Sequence, residues 1–157
     1  MEDRTNLKFF ADLAKFALTI DKSTEAVVKK VALDIFKDII VASPVDSGAY
    51  RASHQIAMNT PSEEVVEVPK GQKLSKAESK KKAMEQAKNL SQFNTTDTIW
   101  ISNNLPYAEK IEYGGYNDGP KVTGGYPSQM KNGPAGVYRL AIQKAEKRLV
   151  KALKEIK

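Results

Sequence analysis

The distribution of glycine constrains the fold of this chain more than any other feature. Seven of its nine glycines and three of its seven prolines fall between residues 113 and 136. Such a density excludes a regular helix or strand there and predicts a loop of more than about twenty residues, a length that is usually functional or disordered. Because the loop also carries apolar side chains that water solvates poorly, we interpret it as an interaction loop with four candidate assembly contacts: Tyr116, Val122, Tyr126 and Met130.

Three segments outside this loop place apolar residues at the three- and four-residue spacing of an amphipathic helix. They cover residues 6–19, about 23–42 and about 135–156. The polar triplet at 21–23 is predicted to separate the first two helices, with Ser23 or Thr24 as the N-cap of the second. Pro44 is expected to end the second helix, and Pro134 to precede the last.

Three shorter segments have the composition of β-strands. Residues 53–59 and 64–68 alternate in polarity around a Thr-Pro-Ser turn, which predicts a hairpin. Residues 96–102 are rich in β-branched and aromatic side chains and are predicted to form the centre of the sheet. The expected fold class is therefore α+β: N-terminal helices and a C-terminal helix packed on a small, mainly antiparallel sheet, within one domain spanning residues 1–157.

A charged insertion at about 70–94 interrupts the strands. Ser75 and Glu78 have the spacing of a capping box, so a helix over about 77–90 is plausible. Met84 and Leu90 are its only sizeable apolar groups, which predicts a solvated or partly disordered, mobile excursion. The alternative is an arm that becomes ordered against a neighbouring subunit or DNA.

The amino-acid composition excludes several kinds of metal site and active site. The absence of cysteine excludes disulfides, thiolate metal sites and a cysteine nucleophile, and a single histidine excludes a metal site built from several histidines. No run of about twenty apolar residues is present, so a soluble protein without a membrane role is expected. The acidic start of the chain lacks the features of a secretory signal, which predicts synthesis in the cytoplasm. A net charge of +6 is compatible with DNA or an acidic partner.

No pattern typical of an active site emerges. His54 lies in no nucleophile-elbow motif, the glycine doublets open no helix after a strand, and Glu109 and Glu112 have no further acidic partners at useful spacing. The chain is therefore predicted not to be an enzyme, with no catalytic, cofactor-binding or metal-binding residues.

Two turn segments have a clear structural interpretation. In the first, Pro44 stops a helix, Asp46 is expected to accept backbone N–H groups across the turn, and Gly48 is expected to adopt a positive φ. In the second, Pro106 starts a helical turn that sets Tyr107 and Ile111 on one side. Arg51 and Glu112 are predicted to form a bidentate ion pair that ties the two segments together, the alternative being that each faces water.

These two segments resemble the tail-completion, or neck, protein family of long-tailed bacteriophages, also described as lambdoid-type tail components. The first, Ser-Pro-Val-Asp-Ser-Gly-Ala-Tyr-Arg-Ala-Ser, is similar to the family's Pro-Val-Asp-Thr-Gly followed by a hydrophobic residue, Arg and Ser. The second, Pro-Tyr-Ala-Glu-Lys-Ile-Glu-Tyr-Gly, is similar to Tyr-Ala-x-x-Ile/Val-Glu-x-Gly. The positions that match are Pro44, Asp46, Gly48, Arg51, Tyr107, Ala108, Glu112 and Gly114. Ser47 replaces the usual threonine, and the insertion at 70–94 is longer than the family's hairpin.

The resemblance implies a structural protein of the virion, made in the host bacterial cytoplasm. Copies would form a ring at the head–tail junction, joining the head connector to the tail tube or tail terminator. DNA would pass through the channel without sequence-specific recognition. Two alternatives remain: a tail-terminator ring protein, and a small basic nucleic-acid-binding module.

Overall fold

The computed structural model describes residues 21–113 and 136–155. The predicted helix at 6–19 and the whole interaction loop, with Gly114, Tyr116, Val122, Tyr126 and Met130, lie outside the described residues. Within them the fold is α+β, as predicted, with five α-helices, a 3-10 helix and a two-stranded antiparallel sheet. In chain order the elements are α1 (Asp21–Ala42), α2 (Ala49–Ala52), β1 (Gln55–Met58), α3 (Lys76–Glu85), the 3-10 helix (Gln86–Gln92), β2 (Ile99–Ser102), α4 (Ala108–Tyr113) and α5 (Tyr138–Glu155).

Helix α1 confirms the predicted second helix except at its start. Residues 21–23 are already helical, so the predicted N-cap at Ser23 or Thr24 is wrong. The triplet contains neither glycine nor proline. The low helix propensity of its polar residues costs too little free energy to interrupt the helix. At the other end, Ala42 is the last helical residue and the Ser43 N–H donates to the Ile39 carbonyl at 3.0 Å, just before Pro44.

Two hydrophobic clusters lie along α1. One joins α1 to the sheet, α3 and the 3-10 helix, through Ala32, Phe36, Ile40, Ile56, Ala83 and Leu90. The other joins α1 to α2, α4 and the start of α5, through Ile39, Tyr50, Ile111, Val137 and Ala141. Helix α1 therefore connects the sheet side of the molecule with the side on which the two sequence segments meet.

The sheet pairs β1 with β2 in antiparallel register, with Gln55 opposite Ser102 and Met58 opposite Ile99. The predicted hairpin between 53–59 and 64–68 is wrong, because residues 64–68 form no ladder with β1. Instead the Ser53 hydroxyl accepts the Val66 N–H at 3.1 Å and donates to the Val66 carbonyl at 3.4 Å. A side chain thus occupies the position that a neighbouring strand would have filled.

The charged insertion is helical and packs against the core. The capping box is confirmed, since the Ser75 side chain accepts the Glu78 N–H and the Glu78 carboxylate accepts the Ser75 N–H. Ala83 is fully buried in the cluster that also contains Leu90. A fully solvated excursion is therefore the wrong description, because small side chains let α3 approach closely, so that few large apolar groups are needed. The mobility of the segment in the monomer is a question for hydrogen exchange.

This packing changes the expected hydrogen exchange of the insertion. In the monomer, the amides around Ala83 and Leu90 should exchange at least about a hundredfold more slowly than unstructured peptide, a protection of roughly 3 kcal/mol. Exchange measured by NMR or mass spectrometry tests this, with the exposed turn residues Lys70 and Gly71, whose N–H groups donate to no described residue, as the internal control. Equal rates in the two segments would contradict the packing.

Candidate functional site

The two sequence segments meet in the folded chain, where they form what we call the motif junction: Tyr50 and Arg51 of the first, Tyr107 and Glu112 of the second, and His54 and Asn103 beside them. The rings of Tyr50 and Tyr107 lie with their centroids 6.4 Å apart. Asn103 donates its side-chain amide to the Tyr50 carbonyl at 2.8 Å. Segments more than fifty residues apart in sequence therefore form one structural unit.

The first segment is shaped by a close approach of backbone. Gly48 has a φ of +82°, as predicted, and a Cβ at this position would lie 2.8 Å from the Leu74 carbonyl oxygen. The Leu74 N–H donates to the Ser47 carbonyl at 2.9 Å. Only glycine satisfies both the backbone conformation and the spacing, so this turn fixes the loop that leads into α3.

Asp46 does not have the role predicted for it. Its side chain is 83% exposed and accepts from Lys73 Nζ at 3.2 Å, and no backbone N–H of the described residues donates to it. The Ser47 hydroxyl accepts a backbone N–H of this turn instead, from Ala49 at 3.3 Å. An exposed pair of this kind contributes little to stability.

Arg51 and Glu112 do not form the predicted ion pair. Arg51 belongs to the short helix α2 rather than to a strand, and its Nη2 donates to the Ser43 carbonyl at 2.7 Å, beyond the C-terminal end of α1. A cation is favoured there, where carbonyls lack helical partners. Glu112 instead pairs with Arg139 of α5.

Glu112 is the anchor of α5. Its buried carboxylate accepts the backbone N–H groups of Val137, Tyr138 and Arg139 at 2.7, 2.9 and 3.0 Å, together with the Arg139 Nε at 3.2 Å. The first N–H groups of a helix lack internal acceptors and carry partial positive charge, so a carboxylate stabilises them. The start of α5 at Tyr138 is set by this contact. Gly136, at a φ of +104°, leaves room for it, because a Cβ there would collide with the carboxylate.

His54 lies at the centre of a buried polar network. Its Nε2 is 2.6 Å from the Ser43 hydroxyl, and its Nδ1 is 2.8 Å from the Tyr138 hydroxyl and 3.3 Å from the Asn103 side-chain nitrogen. The Ser43 hydroxyl donates to the Ile39 carbonyl at 2.6 Å. Because that proton is already used, the consistent assignment has His54 donating from Nε2 to Ser43 and accepting at Nδ1.

This arrangement differs from that of a catalytic serine and histidine. The His54 Nε2 acts as a donor to Ser43, so it is not available to remove the hydroxyl proton. Both residues are also buried: His54 is 0% exposed and Ser43 is 2% exposed. The network therefore positions α1, β1 and α5 relative to one another.

Burial controls the protonation of the junction. Desolvation, with a smaller effect of the Arg51 guanidinium, lowers the pKa of His54 to about 3. Burial, with the Glu112 carboxylate as a lesser cause, raises the pKa values of the Tyr50 and Tyr138 hydroxyls. All three side chains are neutral at pH 7, which suits a network in which His54 accepts from a tyrosine hydroxyl.

The described residues hold no group of three or more His, Asp or Glu side chains arranged to bind a metal ion. Within the same ranges, no helix is both long and apolar enough to cross a membrane. A basic surface lies on α3, which we call its basic face and define as Lys76, Lys80, Lys81 and Lys82; these side chains are all exposed and spread around the solvent side of the helix, away from the buried Ser79 and Ala83.

Sequence reasoning missed Arg139 and the anchoring role of Glu112. One local signal pointed to a special role for Glu112. It lies in the last turn of α4, where the helix dipole disfavours a negative charge, so a compensating partner is expected. The identity of that partner, 27 residues further along the chain, had no local signal. Comparisons with protein-family models, curated proteins and solved structures found no match to this chain.

Proposed function

We propose that this chain is a structural subunit of the head–tail neck of a long-tailed bacteriophage, assembling into a ring that joins the head connector to the tail tube. The observation that carries the proposal is the motif junction. The segments that resemble the neck family contact each other through Tyr50 and Tyr107, and Glu112 fixes the start of α5. Side chains used in this way build a scaffold, which suits a protein whose role is to present surfaces to neighbours.

The proposed partners are further copies of this chain, the head connector, and the tail tube or tail terminator. DNA would pass through the channel without sequence-specific contacts. A tail-terminator ring, which caps the tube instead of bridging it, is the alternative position in the same virion. The role requires neither a catalytic residue nor a cofactor.

The basic face of α3 favours a second candidate, a nucleic-acid-binding module. Residues 70–94 contain seven lysines and two glutamates, so their net charge of 7 − 2 = +5 accounts for most of the chain's +6. Exposed lysines around the solvent side of one short helix suit contact with phosphates, and affinity from such contacts falls steeply with salt. In a ring, the same face is suited to the wall of the DNA channel.

Mass photometry over a range of protein concentrations, combined with a DNA titration at several salt concentrations, distinguishes the two candidates. We expect concentration-dependent rings and weak DNA affinity. Replacing Lys80, Lys81 and Lys82 together by glutamine should leave the rings intact. The matched control removes three charges from exposed positions on α5, through Lys147→Gln, Lys151→Gln and Lys154→Gln.

The opposite result would be a monomer at every concentration whose tight DNA binding falls about tenfold or more between roughly 50 and 200 mM salt. If that binding were lost in the triple variant and retained in the control, the nucleic-acid-binding module would be correct and the neck ring wrong.

A further inference from the structure

The two outer edges of the small sheet differ in the hydrogen bonding of their outward peptide groups. Asn59 donates its N–H to the Thr98 carbonyl at 2.8 Å, and these residues continue the register of the ladder. Hydrogen-bonded pairs alternate with non-bonded pairs in an antiparallel ladder, so the peptide groups of Ile99 and Ile101 point away from β1. They form the outer edge of β2.

The outer edge of β1 is occupied. There the Ile56 carbonyl accepts from the Asn89 side chain at 2.7 Å, and the Met58 carbonyl accepts from the Thr60 N–H at 2.7 Å. By contrast, no group in residues 21–113 and 136–155 donates to or accepts from the outward peptide groups of Ile99 and Ile101. A strand edge of this kind is a template for the addition of another strand.

A second unpaired edge lies in residues 64–68. On one side of this segment, the Glu64 carbonyl accepts from the Asn104 side chain at 3.2 Å, and Val66 bonds to the Ser53 hydroxyl. The peptide groups of Val65 and Glu67, on either side of the Val66 contact, have no hydrogen-bond partner among the described parts of the chain. The Val65 side chain is 39% exposed. The sequence Glu-Val-Val-Glu-Val has high strand propensity, yet it forms no ladder in its own subunit.

We propose that residues 64–68 of one copy add as an antiparallel strand to the outer edge of β2 in the next copy, with Val65 opposite Ile101 and Glu67 opposite Ile99. The donor and the acceptor are different surfaces of one chain, so the contact is heterologous and repeats head to tail, which produces a ring when the rotation closes. The inference rests on the proposed ring and identifies the surface that would hold it together.

Disulfide trapping tests the contact directly, because the chain has no cysteine of its own. Single variants Val66→Cys and Trp100→Cys, whose side chains would lie directly opposite each other in this register, are prepared separately, mixed at a concentration at which rings form, and oxidised. We expect covalent dimers in the mixture and few in either variant alone. The control mixture pairs Trp100→Cys with Val41→Cys, an exposed position on α1.

A proline variant gives an independent measurement. Glu67→Pro removes an outward N–H from an exposed position and should weaken ring assembly at least about tenfold, the effect of roughly one net hydrogen bond. Glu67→Thr keeps the N–H and should assemble like the natural chain. Both variants should melt like the natural chain at monomer concentrations.

The outcomes separate the two proposals. Rings that form normally but give neither Val66–Trp100 disulfides nor a proline effect would overturn the strand addition and leave the neck ring standing. Disulfides mainly between two Trp100→Cys chains would show a two-fold contact of β2 edges instead and would also overturn it. A chain that stays monomeric at all concentrations would defeat the ring and the strand addition together.

Discussion

Replacing Glu112 by alanine is expected to lower the free energy of unfolding by about 3–5 kcal/mol, the cost of removing one partner of a buried, hydrogen-bonded charge. Glu112 is 8% exposed, and its carboxylate accepts three backbone N–H groups at the start of α5 as well as the Arg139 guanidinium. Alanine would leave these donors without an acceptor in a partly dry environment. The start of α5 should fray in the variant.

Chemical denaturation followed by circular dichroism measures this loss. Glu109→Ala is the matched control, because Glu109 is an exposed glutamate on the same helix and should change stability by no more than about 0.5 kcal/mol. The free energy of unfolding of Glu112→Gln should fall between those of the two alanine variants, since glutamine keeps an acceptor oxygen but loses the charge. Equal stability of the Glu112→Ala and Glu109→Ala variants would show that Glu112 does not anchor α5.

Acidification is expected to destabilise the fold through His54. Its pKa is lowered to about 3 in the folded chain, because burial disfavours the charged ring, whereas the unfolded chain keeps the ordinary value near 6.5. Between these two pH values the unfolded state binds more protons, so stability rises with pH and is lost as pH falls. The slope is about 1.4 kcal/mol per pH unit in that window.

The measurement is the free energy of unfolding at intervals from about pH 7 to pH 4.5. Carboxylates add to the slope at the acid end, among them Asp34, whose pKa is lowered mainly by its hydrogen bond to Lys30. The control His54→Gln keeps these carboxylates and removes the imidazole, so its slope between about pH 6 and pH 5 should be near zero. Parallel curves for the two proteins would contradict a buried, neutral histidine.

The elements that the sequence predicted well are those specified by neighbouring residues. The stripe of α1, its end before Pro44, the Ser75 capping box and the strand around Trp100 each depend on contacts within a few residues. The positive φ of Gly48 belongs to the same class, because the turn requires it locally.

The errors concern partners that are distant in sequence. Residues 64–68 have a strand pattern, but Ser53 meets them with a hydroxyl instead of a backbone ladder. The burial of α3 depends on Ala83, a side chain too small to contribute to an apolar stripe but small enough to allow close packing. Glu112 was assigned the wrong arginine because the choice between Arg51 and Arg139 depends on where α5 lies, which no local pattern specifies.

The Glu112 anchor also fixes the two points between which residues 114–135 connect the described parts of the chain. The chain leaves this region after Tyr113 and returns at Gly136, and the bond from Val137 to Glu112 holds these two points together. Any sequence placed between Tyr113 and Gly136 would therefore begin and end at the same two points, because Glu112 and Val137 both belong to the described fold. The sequence of residues 114–135 can thus change without removing the contact that fixes the start of α5.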